Sequence, residues 1–355
     1  TSGSEFGWRS GTGKWPTYYE DSVPPAVDIG PGSPTGVIFG YGAKFPAKYQ
    51  KALFILDWTY STIHAVHFRV DGASYKADKE DFVFGSPLPV TDAVIGQDGA
   101  LYFTAGGRGT QSGLFRVTYT GSESTEPVDA RFTEGRELRK LRHELESFHG
   151  QAKGDLDKIF ANLAHEDRFI RYAARVALEN QPLDSWRERA LATKEPRSSI
   201  QALMALSRQG KSEDLPAVLT ALGRIGFSTL AQQDQLALLR TWQLAFVRLG
   251  QPDEGWREKC LATLEPLYPA KANELNSELV QLLVYLQSPQ VVTKTLAVMD
   301  QLGTEPIPDW TELAKRNAGY GGTVARMLEN MPPVRGLHYA FVVRNVKEPW
   351  TLDQR

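Results

Sequence analysis

Hydrophobic positions along this chain follow one period in its first third and another in the rest. Up to about residue 121, short apolar runs are bounded by Gly, Pro and Asp signals, which predicts strands and turns. Residues 35–40 recur as 91–96, residues 52–56 as 100–104 and residues 63–66 as 114–117, at offsets of 56, 48 and 51. The first unit adds a fourth strand at 81–84, and Asp71-Gly72 and Asp98-Gly99 mark tight turns. Short antiparallel strands repeated at this interval predict β-propeller blades, about two of them. A ring needs at least four blades, so the β part is expected to be a partial β-propeller, its late blades.

Beyond residue 133 the period becomes helical. In residues 165–178, Phe169, Ile170, Ala173, Ala174, Ala177 and Leu178 share one face, with Asp167 placed as N-cap or first-turn acid. Similar runs follow at 198–208, 230–249, 276–286 and 291–302, separated by prolines from Pro182 to Pro306. Helices of this length with short connectors predict a HEAT-like α-solenoid. The expected organisation is therefore multidomain, β then α: a partial β-propeller over 1–121, a linker over 122–133 and a HEAT-like helical repeat domain over 134–355.

Composition sharpens the division. Residues 1–121 hold 18 of the 31 glycines and 20 of the 37 aromatic residues but only five leucines, whereas the remainder holds 33 leucines. A net charge of −2 argues against a dedicated nucleic-acid binder. The single cysteine, Cys260, excludes an intrachain disulfide framework, a Cys-based zinc cluster and a C-x-x-C-H haem attachment, and is expected to be a buried thiol. No run approaches a transmembrane helix, no signal peptide is read, and Thr1 as first residue suggests a processed or cut start.

Candidate chemistry follows from the blade geometry. The loops at 30–35, 57–61, 86–92 and 106–112 should converge on one mouth of a propeller channel. Arg108, flanked by glycines, could clamp a carboxylate or quinone oxygen, or pair with Asp92 to fix the loop. Asp57 and Asp92 could bind calcium, act as bases, or cap loop N–H groups. Trp58 and Tyr60 could stack on a sugar or pack between blades. Thr35, Thr91 and Gln111 fall in the same loops. His64 and His67 are three apart in a strand and face opposite ways, so they cannot share a metal, and no metal site is read. Arg139, Arg142, Arg168, Arg171 and Arg175, interleaved with acids, predict a solvated, salt-bridged helix face.

Residues 30–36, 39–46 and 57–60, and above all Thr91-Asp92-Ala93-Val94-Ile95-Gly96 with Gly106-Gly107-Arg108-Gly109-Thr110-Gln111, resemble one bacterial family. It is the membrane-bound dehydrogenase, or PVC-type CxxCH haem-binding, family, whose propeller is similar to glucose/sorbosone dehydrogenases. The helical residues 169–175 and 331–333 resemble that family's middle region. The resemblance implies a periplasmic or envelope-associated oxidoreductase of sugars or alcohols that passes electrons to a cytochrome c domain or another electron-transfer partner. It implies pyrroloquinoline quinone, calcium, and haem c on a domain beyond this chain. No cofactor is evident in the chain itself, and the catalytic His of the quinoprotein sugar dehydrogenases has no counterpart here, so the catalytic residue is unknown. The competing expectation is a non-catalytic interaction scaffold that binds carbohydrate or protein, with a possible protein partner on the helical repeats.

Overall fold

The computed structural model describes residues 3–5, 15–107, 109–303, 316, 322–323, 326–327, 333–347 and 350–351. Seven strands fill the β part: β1 (Pro34–Phe39), β2 (Leu53–Asp57), β3 (Thr62–Asp71), β4 (Ser74–Phe84), β5 (Val90–Ile95), β6 (Leu101–Gly107) and β7 (Thr110–Val117). Their order is a simple meander, β1-β2-β3-β4 in one antiparallel sheet and β5-β6-β7 in another. Gly72 and Gly99, with φ of 55° and 83°, take the left-handed conformations that the tight turns after β3 and β5 require.

The expectation of a partial β-propeller followed by a HEAT-like α-solenoid is corrected by these sheets. Among the described residues there are two small antiparallel sheets, of four and three strands, and then a helical region; no closed or propeller sheet forms. The strand pattern specifies hairpins, which are local, and says nothing about how successive sheets are arranged. The two sheets instead share one apolar core. Phe54, Leu56, Ile63 and Ala65 from the first meet Val90, Leu101 and Phe103 from the second. Each of these Phe, Leu, Ile and Val side chains contributes about 1.5–3 kcal/mol on burial. Val37, Val94 and Leu114 remain 63%, 57% and 71% exposed.

A one-residue irregularity in the β3–β4 pairing, between Ile63 and His64, brings Asp81 opposite His64. The buried His64 Nδ1 lies 3.1 Å from Asp81 Oδ1, while His67 Nε2 lies 2.9 Å from Glu80 Oε1. Burial and nearby Lys79 outweigh Asp81 and Asp57 and push the His64 pKa down, favouring a neutral ring.

The helical part contains α1 (Ala47–Gln50) as an outlier between strands, then α2 (Arg136–Glu146), α3 (Leu156–Ala161), α4 (Arg168–Glu179), α5 (Arg187–Ala192) and α6 (Pro196–Gln209). It continues with α7 (Leu215–Gly223), α8 (Gln232–Leu249), α9 (Glu254–Leu264), α10 (Asn273–Tyr285), α11 (Val291–Met299) and α12 (Val334–Val343). Packing runs in two rows: α4 on α6, α6 on α8, α8 on α10 and α10 on α12, with α5 on α7 and α7 on α9 behind them. Asp167 caps α4 by accepting the Phe169 and Ile170 N–H groups, and Glu195 and Asp253 do the same for α6 and α9.

The chain divides into two compact units. One comprises Thr1–Trp15, Pro24–Glu137 and Pro306–Met331; the other comprises Pro16–Val23, Leu138–Glu305 and Pro332–Arg355. The eight residues Pro16–Val23 thus belong with helices that lie far along the chain.

Candidate functional site

The residues singled out from sequence take structural positions in the β unit. Asp57 ends β2 and is 1% exposed. Its Oδ1 accepts the Ser33 N–H at 2.9 Å and the Thr59 N–H at 3.0 Å. A Cβ on Gly32 would stand 2.6 Å from Asp57 Oδ2, so only glycine lets the loop close on this carboxylate. Trp58 Nε1 donates to the Gly106 carbonyl at 3.0 Å, and Thr35 Oγ1 donates to the Val90 carbonyl at 3.0 Å. Both bonds tie the first sheet to the second.

Tyr60 is buried, and burial together with Asp57 raises its phenol pKa. Thr91 Oγ1 lies 2.7 Å from Thr104 Oγ1 in a shallow depression also lined by Gly106, Gly107 and Ser112. Asp92 is exposed; its carboxylate accepts the N–H of its neighbour Ala93 at 2.9 Å and its carbonyl accepts from Thr104 Oγ1 at 3.4 Å. Gln111 is exposed on β7. Arg108 lies outside the described residues. The structure therefore gathers Asp57, Trp58 and Thr35 into loop caps and inter-sheet ties. The Asp57 Oδ1 is turned to the Ser33 and Thr59 N–H donors, the arrangement of a loop-capping carboxylate.

The helical unit holds a different kind of site, which the sequence reading missed. Pro16–Val23 runs across one face of α4, α6, α8 and α10 as a strap (the hydrogen bonds below come from all four helices). Tyr19 and Val23 are buried, and Tyr18 is half-buried. Arg168, at the start of α4, grips the strap by its main chain: its guanidinium donates to the carbonyls of Thr17 at 2.6 Å, Tyr19, and Ser22 at 2.7 Å.

Strap side chains are read individually. Glu20, 2% exposed, accepts from Arg171 Nη2 at 2.8 Å, Gln201 Nε2 at 2.9 Å and Gln233 Nε2 at 3.0 Å. Asp21 takes a two-pronged contact from Arg240, with Nε at 3.0 Å and Nη2 at 2.9 Å. Arg208 Nη1 stands 3.7 Å away. Burial alone would raise the Asp21 pKa, but the hydrogen bonds and charge of Arg240, with Arg175 and Arg208 behind it, hold it below the usual carboxylate range. Arg240 also lies over the Tyr19 ring, 4.2 Å from its centre.

The strap's tyrosines share one acceptor. Tyr18 Oη donates to Glu278 Oε1 at 2.6 Å and Tyr19 Oη to Glu278 Oε2 at 3.0 Å, while Gln243 Nε2 donates to Oε2 at 2.6 Å. Burial first, and the Glu278 charge second, push both phenol pKa values well above their ordinary range.

The expected solvated, salt-bridged arginine face is salt-bridged but not solvated at Arg142, Arg171 and Arg175. Arg171 and Arg175 are 2% and 1% exposed, because the strap covers Arg171 and the Arg175 guanidinium pairs with Glu179. The available signal was placement: these arginines border the apolar face of α4, and Gln201 and Gln243 sit among buried, mostly apolar residues of α6 and α8. Cys260 is buried, and burial pushes its thiol pKa up to about 11.

Among the described residues no cluster of three or more His, Cys, Asp or Glu side chains is poised to hold a metal ion, and no helix is long and apolar enough to cross a membrane. Compared with family models, curated proteins and solved structures, the chain finds no match.

Proposed function

We propose that the helical unit is a docking scaffold for an extended protein segment bearing two tyrosines followed by two acidic residues. One observation carries this reading: the buried Glu20 is held at once by side chains from α4, α6 and α8. Three helices supplying donors to one carboxylate is recognition of a segment, since each helix alone offers only one or two contacts. Hydrogen bonds to charged groups contribute about 1.5–3 kcal/mol each. The Arg168 contacts to main-chain carbonyls add affinity that any sequence would share; the Glu20, Asp21 and tyrosine contacts add selectivity. The scaffold reading of the sequence is thus favoured, with a protein segment as what is bound.

The test supplies the segment in trans. In a full-length chain carrying Glu20→Arg and Asp21→Arg, the tethered strap can no longer pair with Arg171 and Arg240. A fluorescent peptide with the sequence of residues 16–23 should bind this variant, and the same peptide with Gln and Asn at the two acidic positions should bind at least tenfold more weakly. Equal anisotropy for both peptides on folded protein would remove the claim of selective docking.

A further inference from the structure

We infer that the outer edge of β7, in the β unit, receives an extended segment of a partner protein, which joins β5-β6-β7 as a fourth, antiparallel strand. The first sheet shows what such a strand does. There the third strand, β3, is covered by β4 along ten residue pairs, and β4 brings Phe82 onto the core with its ring centre 4.7 Å from that of Phe54. β7 holds the same third place in the second meander, and its inner edge pairs with β6. Among the described residues nothing pairs with its outer edge, and residues 118–135 form no strand that could return to it. A row of unpaired main-chain N–H and C=O groups is a template for another strand, and the side chains beside it select which strand is accepted.

The contrast among the edge strands singles out β7. β1 and β5 lie against each other, joined by the Thr35 bond to the Val90 carbonyl. β4 is guarded by Lys76, Asp78, Lys79, Glu80 and Asp81, the charged kind of edge that turns other strands away. β7 has no proline and a single charge, Arg116, which Asp98 already holds at 2.8 Å. At its centre Leu114 is 71% exposed, and Phe115 is 42% exposed although its ring stacks on the core residue Phe103 at 4.9 Å. Neighbouring residues of a strand point to opposite faces, so the edge is apolar above and below the sheet. The occupant that fits is therefore a largely uncharged segment with two adjacent apolar residues, one beside each of these side chains. Its residue beside Phe115 would close the core as Phe82 does at Phe54.

The test is a selection on the full-length protein. Short peptides displayed on phage are panned on the wild-type chain with an excess of the Ser112→Lys, Leu114→Lys double variant as competitor. Both positions are exposed, so the variant should keep its thermal melt while giving β7 the kind of charge that guards β4. Selected peptides should share two adjacent apolar residues, protect the β7 amides from hydrogen exchange, and bind the variant about tenfold more weakly or worse. A panning that enriches nothing over the variant, or peptides that protect some other part of the molecule, would overturn the inference. A wild-type chain that sediments as a dimer, beside a variant that sediments as a monomer, would put a second copy on the edge and overturn it as well. Should the double variant not fold, Leu114→Lys alone serves the same comparison.

Discussion

Replacing Glu20 with Gln keeps the side chain's size and removes its charge, which makes it the cleanest perturbation of the groove. Arg171 Nη2 would face a neutral amide at the 2.8 Å where it now meets a carboxylate oxygen, and the Gln201 and Gln233 amides would lose a charged acceptor. Breaking a buried ion pair by removing one partner costs about 3–5 kcal/mol. At 1.4 kcal/mol per factor of ten, that is roughly a hundredfold to several-thousandfold shift from docked to released strap. Release lets water reach Arg171, so the penalty falls on docking and spares the helical core, where Leu203, Leu239 and Leu279 are buried between helices. Hydrogen exchange followed by mass spectrometry reads this directly. Amides of residues 17–23 should lose protection by about two orders of magnitude, and amides within α6, α8 and α10 should keep theirs. Gln233→Ala, which removes one neutral donor to the charged carboxylate, should cost about 1.5–3 kcal/mol, less than loss of the ion pair, and leave part of the protection in place. Unchanged exchange in 17–23 for Glu20→Gln, or equal loss across the helices, would refute the idea that this carboxylate holds the strap.

Docking should fail at both ends of the pH scale. Asp21 has a lowered pKa when docked, so its contribution is complete above its released value of about 3.9 and disappears as pH falls through the docked value, giving strap release in acid. Tyr18 and Tyr19 are raised, so their contribution is complete below about 10 and is lost as pH climbs past it toward their docked values; phenolate absorbance of these two should develop late and together with release. In the β unit, Gly32→Ala should destabilise by more than Asp57→Asn, because the added Cβ would lie 2.6 Å from a buried carboxylate oxygen whereas the amide still accepts; thermal melts of the two variants decide the order. Cys260, with its pKa pushed up to about 11, should react with thiol reagents only as fast as the helical unit opens, and a stoichiometric fast reaction in native buffer would contradict its burial.

What could be read from the sequence was what is local. Asp167 caps its helix by bonds to residues two and three positions on, and the Asp98-Gly99 turn is fixed by neighbours. The strands fall near their expected places because side-chain alternation reports the sheet face directly. Sheet arrangement is not written that way: the same hairpins serve a propeller or the two small sheets seen here, and the choice rests on contacts such as Thr35 to Val90 across 55 residues. The strap was hidden for the same reason. Tyr18-Tyr19-Glu20-Asp21 looks like one more loop among glycines and aromatics, and its four partner helices begin about 150 residues later. Asp57 lay between these cases: the strand end was visible, but the two N–H groups it caps come from loops on either side.

Charge balance gives the reason the groove is filled rather than open. Around the strap, α4, α6 and α8 present Arg168, Arg171, Arg175, Arg208 and Arg240; among the described residues Glu179 pairs with Arg175 and Arg208, and Glu278 on α10 bonds Gln243. Glu278 spends both oxygens on the strap's tyrosines and Gln243, and Glu179 is shared by Arg175 and Arg208. Arg171 and Arg240 therefore take their carboxylates from Glu20 and Asp21. An apolar cover would bury those guanidinium groups unpaired, at several kcal/mol each, and only water or an acidic segment avoids that cost. The strap's own carboxylates meet that need with charge-assisted hydrogen bonds to Arg171 and Arg240.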